Sequence, residues 1–128
     1  MPSKRGAFVD KEGFMESIKQ QIVRQKLTII KQLATKDKNG DKFILANRDK
    51  NRKFMLEYGL LTNDIKDIIL NLEVDDYYKG PEKDDAGFEC EIWIFTPTFQ
   101  SIKLYIKIRL AHNTLVICIS IHEYGNYI

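Results

Sequence analysis

The chain has 128 residues, 44% of them hydrophobic, 11% aromatic and 30% charged, with a net charge of +2. That length supports one hydrophobic core, so residues 1–128 are expected to form a single domain without disulfides or a structural metal. No run approaches the roughly 20 apolar residues that span a bilayer, and no apolar stretch of signal-peptide length follows the start, so a soluble, cytoplasmic protein with no membrane contact is expected.

The small net charge hides an asymmetry. Residues 1–53 carry 14 Lys/Arg against 6 Asp/Glu, whereas residues 54–100 carry 3 against 11. A basic first half suits an anionic partner such as RNA, and equally suits a lysine-rich solvated helix. Helical spacing of Met15, Ile18, Ile22, Ile29, Ile30 and Leu33 predicts one long helix over residues 11–35, capped by Asp10. It should stop before the polar turn of residues 36–42, centred on Asn39-Gly40. That turn is similar to the start of a calcium loop, but its glycine comes two positions early and Arg48 stands where the closing glutamate belongs, so calcium is excluded.

A short strand, residues 43–46, is predicted next, then helices over about 49–58 and 63–71. Gly59 suits the end of the first as a left-handed residue. Thr62 suits the start of the second, which should bury Ile65, Ile68, Ile69 and Leu72. Residues 74–88 read as an acidic, turn-rich loop. Residues 89–95, 102–110 and 114–122 are rich in β-branched and aromatic residues and predict a three-stranded antiparallel meander. Joined by the earlier strand, this gives an α+β fold with helices on one face of an antiparallel sheet of about four or more strands. Cys90 and Cys118 fall in these strands, without a partner at metal-ligand spacing, and read as buried thiols.

Alternation assigns faces to the last two strands. Ile102, Leu104, Ile106, Ile108 and Leu110 share one face, and Lys103, Tyr105, Lys107 and Arg109 the other. In the last strand Leu115, Ile117, Ile119 and Ile121 form the expected apolar face, opposite Val116, Cys118, Ser120 and His122. A loop centred on His112-Asn113 pairs Ile106 with Ile119 and Ile108 with Ile117, and on the other side Lys103 with His122, Tyr105 with Ser120 and Lys107 with Cys118. The polar side is either an ordinary solvated sheet face or a phosphodiester site. In the second reading a ribose 2′-hydroxyl attacks the adjacent phosphorus, a histidine moves a proton and cations stabilise the pentavalent phosphate. Trp93 is expected in the core and His112 in a turn.

The stretch from Phe54 to Glu123 resembles the MqsR toxin family of the RelE-like group. The pieces that carry it are Leu56-Glu-Tyr-Gly-Leu60, the helix 64–72, Asp75-Asp-Tyr-Tyr-Lys-Gly-Pro-Glu-Lys83, Glu91-Ile-Trp-Ile-Phe95, Leu104-Tyr-Ile-Lys-Ile108 and Cys118-Ile-Ser-Ile-His-Glu123, about 70 of the 128 residues. The resemblance implies a RelE-like fold, cofactor-independent and metal-independent cleavage of mRNA, free or ribosome-bound, and inhibition by a cognate antitoxin. By position it implies catalytic roles for Lys79, Tyr105 and His122, the last where the best-known members have lysine. A glutamine used by some members falls near Cys90 or Glu91, of which Glu91 suits a general base. Lys103, Lys107, Arg109 and Tyr78 are the expected substrate-binding residues. Two other readings stay open: a RelE-fold module that binds RNA or protein without catalysis, and a phage or mobile-element regulator.

Overall fold

The computed structural model describes residues 11–83 and 90–125. The expected Asp10 cap, the Met15 side chain and Glu89 lie outside what it describes. Helix α1 (Lys11–Lys36) is followed by strand β1 (Phe43–Leu45), helices α2 (Asp49–Tyr58) and α3 (Thr62–Leu70) and a short 3-10 turn (Val74–Asp76). Strands β2 (Tyr77–Lys83), β3 (Cys90–Phe95), β4 (Thr98–Phe99), β5 (Ile102–Ala111) and β6 (Leu115–Glu123) complete the chain. The six strands described form one sheet in the order β1-β6-β5-β3-β2, with β4 on β5. The expected α+β architecture is present, with one departure: β1 runs parallel to β6, and the other pairings are antiparallel.

Helix α1 packs on the sheet through Val23, Leu27, Ile30 and Ala34, at the three- and four-residue spacing of one helix face. Ile22, placed on that stripe by the sequence reading, is 44% exposed. The core takes Val23 instead, with Ala34 buried beside it. Helix α3 adds Ile65 and Ile69, with Leu72 beyond its end. It begins one residue earlier than expected: Leu61, not Thr62, is the capping residue, and its N–H donates to the Asp64 carboxylate. Gly59 ends α2 in the left-handed conformation, as expected. After α1, the Asp37 carboxylate accepts from the N–H groups of Lys42 and Phe43 and from Lys66 Nζ. These contacts, the Lys42 N–H first, hold its pKa well below the usual carboxylate range.

Within the stretch read as a loop, Tyr77–Lys83 form β2, the edge strand on β3. Its composition hid it. Register slips between Tyr77 and Lys79 and again between Lys79 and Glu82 leave Tyr78 as an extra residue and set Gly80 and Pro81 together against Trp93, so no alternation survives in the sequence. A proline is tolerated because only one side of an edge strand needs hydrogen bonds.

The β5–β6 hairpin departs twice from the expected register. Its loop has three residues, His112–Thr114, so that Ala111 faces Leu115 and Ile108 faces Cys118. This one-residue slip turns Val116 and Cys118 into the core, both fully buried, and turns Ile117 outward opposite Arg109. Burial pushes the Cys118 thiol up to about 12. A bulge follows at Ile119, after which Lys107 faces Ser120, Ile106 faces Ile121 and Tyr105 faces His122. The second slip restores the original parity. Ser120 and His122 therefore share the outer face as expected, but each sits one row along from its expected partner.

Asn51 of α2, only 1% exposed, holds that bulge. Its Nδ2 donates to the carbonyls of Ile119 (3.0 Å) and Ala46 (2.9 Å), and its Oδ1 accepts from the Ile121 N–H (2.9 Å). The side-chain amide thus stands where the next residue of β1 would stand in a parallel ladder. Replacing Asn51 with alanine strands the Ile121 N–H, at a cost of about 1–3 kcal/mol, and takes one donor each from the Ile119 and Ala46 carbonyls, which keep only Arg48. Asn51→Ala is expected to lower unfolding stability by about 3 kcal/mol, measured by urea denaturation. A loss below about 0.5 kcal/mol would show the bulge to be held by other means.

Candidate functional site on the outer sheet face

The cross-strand rows define which side chains share the face away from α1 and α3. Lys79 of β2 lies opposite Ile94, Ile94 opposite Lys107, and Lys107 opposite Ser120. The next row holds Tyr105 and His122, and beyond it Tyr124 meets Lys103, its N–H donating to the Lys103 carbonyl (2.8 Å). On the other flank Arg109 lies between Ile92 and Ile117. Ile92 and Ile94 are buried yet outside the core cluster, so this face has an apolar floor on one side and a cationic strip beside it.

Tyr105 and His122 stack with ring centroids 5.2 Å apart and planes 18° from parallel. His122 is only 5% exposed. Its Nδ1 lies 2.8 Å from the Glu123 carbonyl, which can only accept, so Nδ1 carries the proton and the neutral ring keeps its lone pair at Nε2. Burial, aided by the charges of Lys50 and Arg48, holds the imidazole below its ordinary value of 6.5, against the pull of the Glu123 carbonyl. Glu123 points elsewhere. It lies opposite Leu104 and accepts from the Tyr58 hydroxyl, which that bond pushes up to about 12.

Lys79 is exposed and pairs with Glu82 at 3.2 Å, a contact that raises its pKa, with a smaller contribution from Tyr105. Gly80 makes this placement possible. Its φ is +132°, and a Cβ there would lie 2.7 Å from the Ile92 carbonyl oxygen and 3.1 Å from the Trp93 Cα. Only glycine lets β2 approach β3 so closely.

The structure therefore brings together Lys79, Tyr105, His122, Lys107 and Lys103, with Arg109 and Tyr78 at the margins. It does not bring Glu91. That residue lies in the row of Leu110 and Val116, on the helix side, paired with Lys26 of α1 at 2.8 Å and accepting from Trp93 Nε1 at 3.3 Å. Even residues of β3 face outward, and Glu91 falls on the odd set. Trp93 is core, as expected, and His112 is an exposed turn residue.

Sequence reasoning missed Arg48 and Lys50, the residues flanking the start of α2, whose charges reach His122. Arg48 also donates to the Ser120 hydroxyl at 3.0 Å. Asn51 and Tyr124 were missed as well. Asn51 alone left a trace, as a polar residue in helical phase with Phe54 and Tyr58. Among the described residues no three His, Cys, Asp or Glu side chains converge as metal ligands would, and no helix is long and apolar enough to cross a membrane.

Two outcomes are expected from this geometry. Gly80→Ala forces β2 off β3 and costs about 2 kcal/mol or more, which a shift in the urea midpoint measures. His122 binds its proton near pH 6.5 when unfolded and only at lower pH when folded. Its contribution to stability is therefore full above pH 6.5 and lost as pH falls through the folded pKa. Between pH 7 and 5 the wild-type urea midpoint should fall more steeply than that of His122→Gln; equal slopes would mean His122 titrates normally.

In comparisons with known proteins, residues 24–123 match the family described as "Motility quorum-sensing regulator, toxin of MqsA". No curated protein matches the chain.

Proposed function

The chain belongs to this MqsR toxin family, and from that premise we propose that it is the toxin of a toxin–antitoxin pair, an endoribonuclease that cuts mRNA on the outer sheet face. Membership implies an antitoxin partner; the nuclease activity is the further step. The observation that carries it is the stacked Tyr105–His122 pair, flanked on both sides by lysines that no core contact requires.

In this reading the RNA backbone lies along the strip, its phosphate charge met by Lys107 and Lys79, with Lys103 and Arg109 extending the track. Lys79 is a fixed cation, since Glu82 favours its charged form. Neutral His122, with its lone pair on Nε2, takes the proton of the 2′-hydroxyl. The 2′-oxygen bonds to the adjacent phosphorus, the bond from phosphorus to the 5′-oxygen breaks, and water protonates the departing oxygen. The products are a 2′,3′-cyclic phosphate and a 5′-hydroxyl end. Tyr105 orients the phosphate and, by its stacking, the imidazole. Burial first, then the charges of Lys50 and Arg48, lower the histidine's pKa and so favour the neutral form that a base requires.

A second reading rests on one observation: with 5% exposure, His122 has little room to meet a substrate. Under it the same face binds RNA or protein without cutting.

Cleavage of a long mRNA by the purified chain in EDTA separates the two. Wild type is expected to cut, with His122→Gln slower by about 100-fold or more and Lys79→Ala also impaired, both folded by circular dichroism. The rate should rise with pH through a value below 6.5. Binding without cleavage, both with naked mRNA and with translating ribosomes, would retire the nuclease in favour of the binding module.

A further inference from the structure

One cluster on this face shares only Lys103 with the track above, and its two tyrosines take no part in the chemistry. Tyr78 and Tyr124, 45% and 40% exposed, meet edge to face with ring centroids 6.0 Å apart. Lys103 Nζ lies 4.4 Å from the centre of the Tyr124 ring. The two tyrosines come from opposite parts of the sheet and reach each other through particular backbone features. Tyr78 is the extra residue at the first register slip of β2, so it leaves the ladder while Tyr77 stays against Trp93 and Phe95. Tyr124 extends β6 past its last ladder pair, beside Lys103.

We infer that this Tyr78–Tyr124–Lys103 cluster is a platform for an unpaired nucleobase, one nucleotide removed from the phosphate held at the Tyr105–His122 row. The inference rests on the RNA-directed reading of this face. Three features narrow the ligand. Two large rings, each exposed over about two fifths of its surface, offer stacking area to solvent. A cation-seeking aromatic site is excluded because Lys103 already fills that role, and its charge would repel a second cation. A flat, neutral ring tethered to an anionic backbone satisfies both the tyrosines and the lysine, and that description is a nucleotide. Spacing agrees as well. The Tyr124 row lies two residues along the strand from the His122 row, roughly 7 Å, a distance adjacent nucleotides of an extended strand can span. A side-chain hydrogen bond with Tyr124 raises the pKa of Tyr78, and the ring contact does not depend on it.

The test compares two probes by fluorescence anisotropy: a 2′-O-methyl RNA oligomer, which cannot be cut, and an abasic ribose-phosphate oligomer of equal length. Wild type is expected to bind the base-bearing oligomer more tightly. Tyr124→Ala and Tyr78→Ala should each weaken it by about tenfold and leave the abasic oligomer unchanged, while Tyr124→Phe binds as wild type does. Lys103→Ala should weaken both. If both alanine variants bind the base-bearing oligomer as wild type does, or wild type prefers neither oligomer, the platform is overturned. Base-dependent binding by a chain that cuts no RNA would sink the nuclease and leave the platform standing. Tyr124→Phe guards against misfolding, because it keeps the ring and loses only the hydroxyl.

Discussion

The geometry of the outer face depends on one side-chain amide. Where β1 ends, β6 still presents a carbonyl at Ile119 and an N–H at Ile121 to its open edge; without Asn51 the N–H would have no partner and the carbonyl only the 3.4 Å contact from Arg48. Asn51 supplies an acceptor and a donor in the spacing of a strand residue. That contact fixes the bulge, and the bulge decides which way every later residue of β6 points. Ile121 goes into the core, while Ser120 and His122 go to the outer face. A helix thus sets the chemistry of a sheet face it does not cover.

Charge placement follows from the same junction. The start of α2 brings Arg48 and Lys50 to the flank of His122, so the helix that holds the bulge adds to the burial that lowers the imidazole's pKa. On the opposite flank, β2 brings Lys79 in with its own counterion, Glu82. The face is therefore basic in sum but not uniformly so. Its carboxylates sit at the margins, and Glu123 and Glu91 are turned toward the helices, where Tyr58 and Lys26 take them up.

What the sequence made legible was periodicity. Helices α1, α2 and α3 and strand β5 announced themselves because each keeps one period over its length, and β3 and β6 by their runs of β-branched and aromatic residues. Tyr105, Lys107 and His122 were placed on a common face by alternation alone. The failures share one physical cause, a residue inserted out of phase. The third loop residue at Thr114 and the bulge at Ile119 each reverse the faces of β6, and the two together cancel. The outcome for His122 was right while those for Val116 and Cys118 were inverted. In β2 two slips within seven residues erased the pattern, and the strand read as a loop. Glu91 was undecidable because a strand buried on both faces has no polar side to set its phase. Interactions such as Asn51 with β6 span some 70 positions, and no local pattern encodes them.

The bulge carries an evolutionary consequence. Because Ile119 is an added residue, a homologue lacking it would have an unbroken ladder with the same side chains on the same faces. Such a homologue would have no kinked peptide for an amide to hold, and position 51 would be released from asparagine. Strand length at 119 and residue identity at 51 should thus change together across the lineage. An insertion or deletion in one strand would be matched by a substitution on a helix almost 70 residues away.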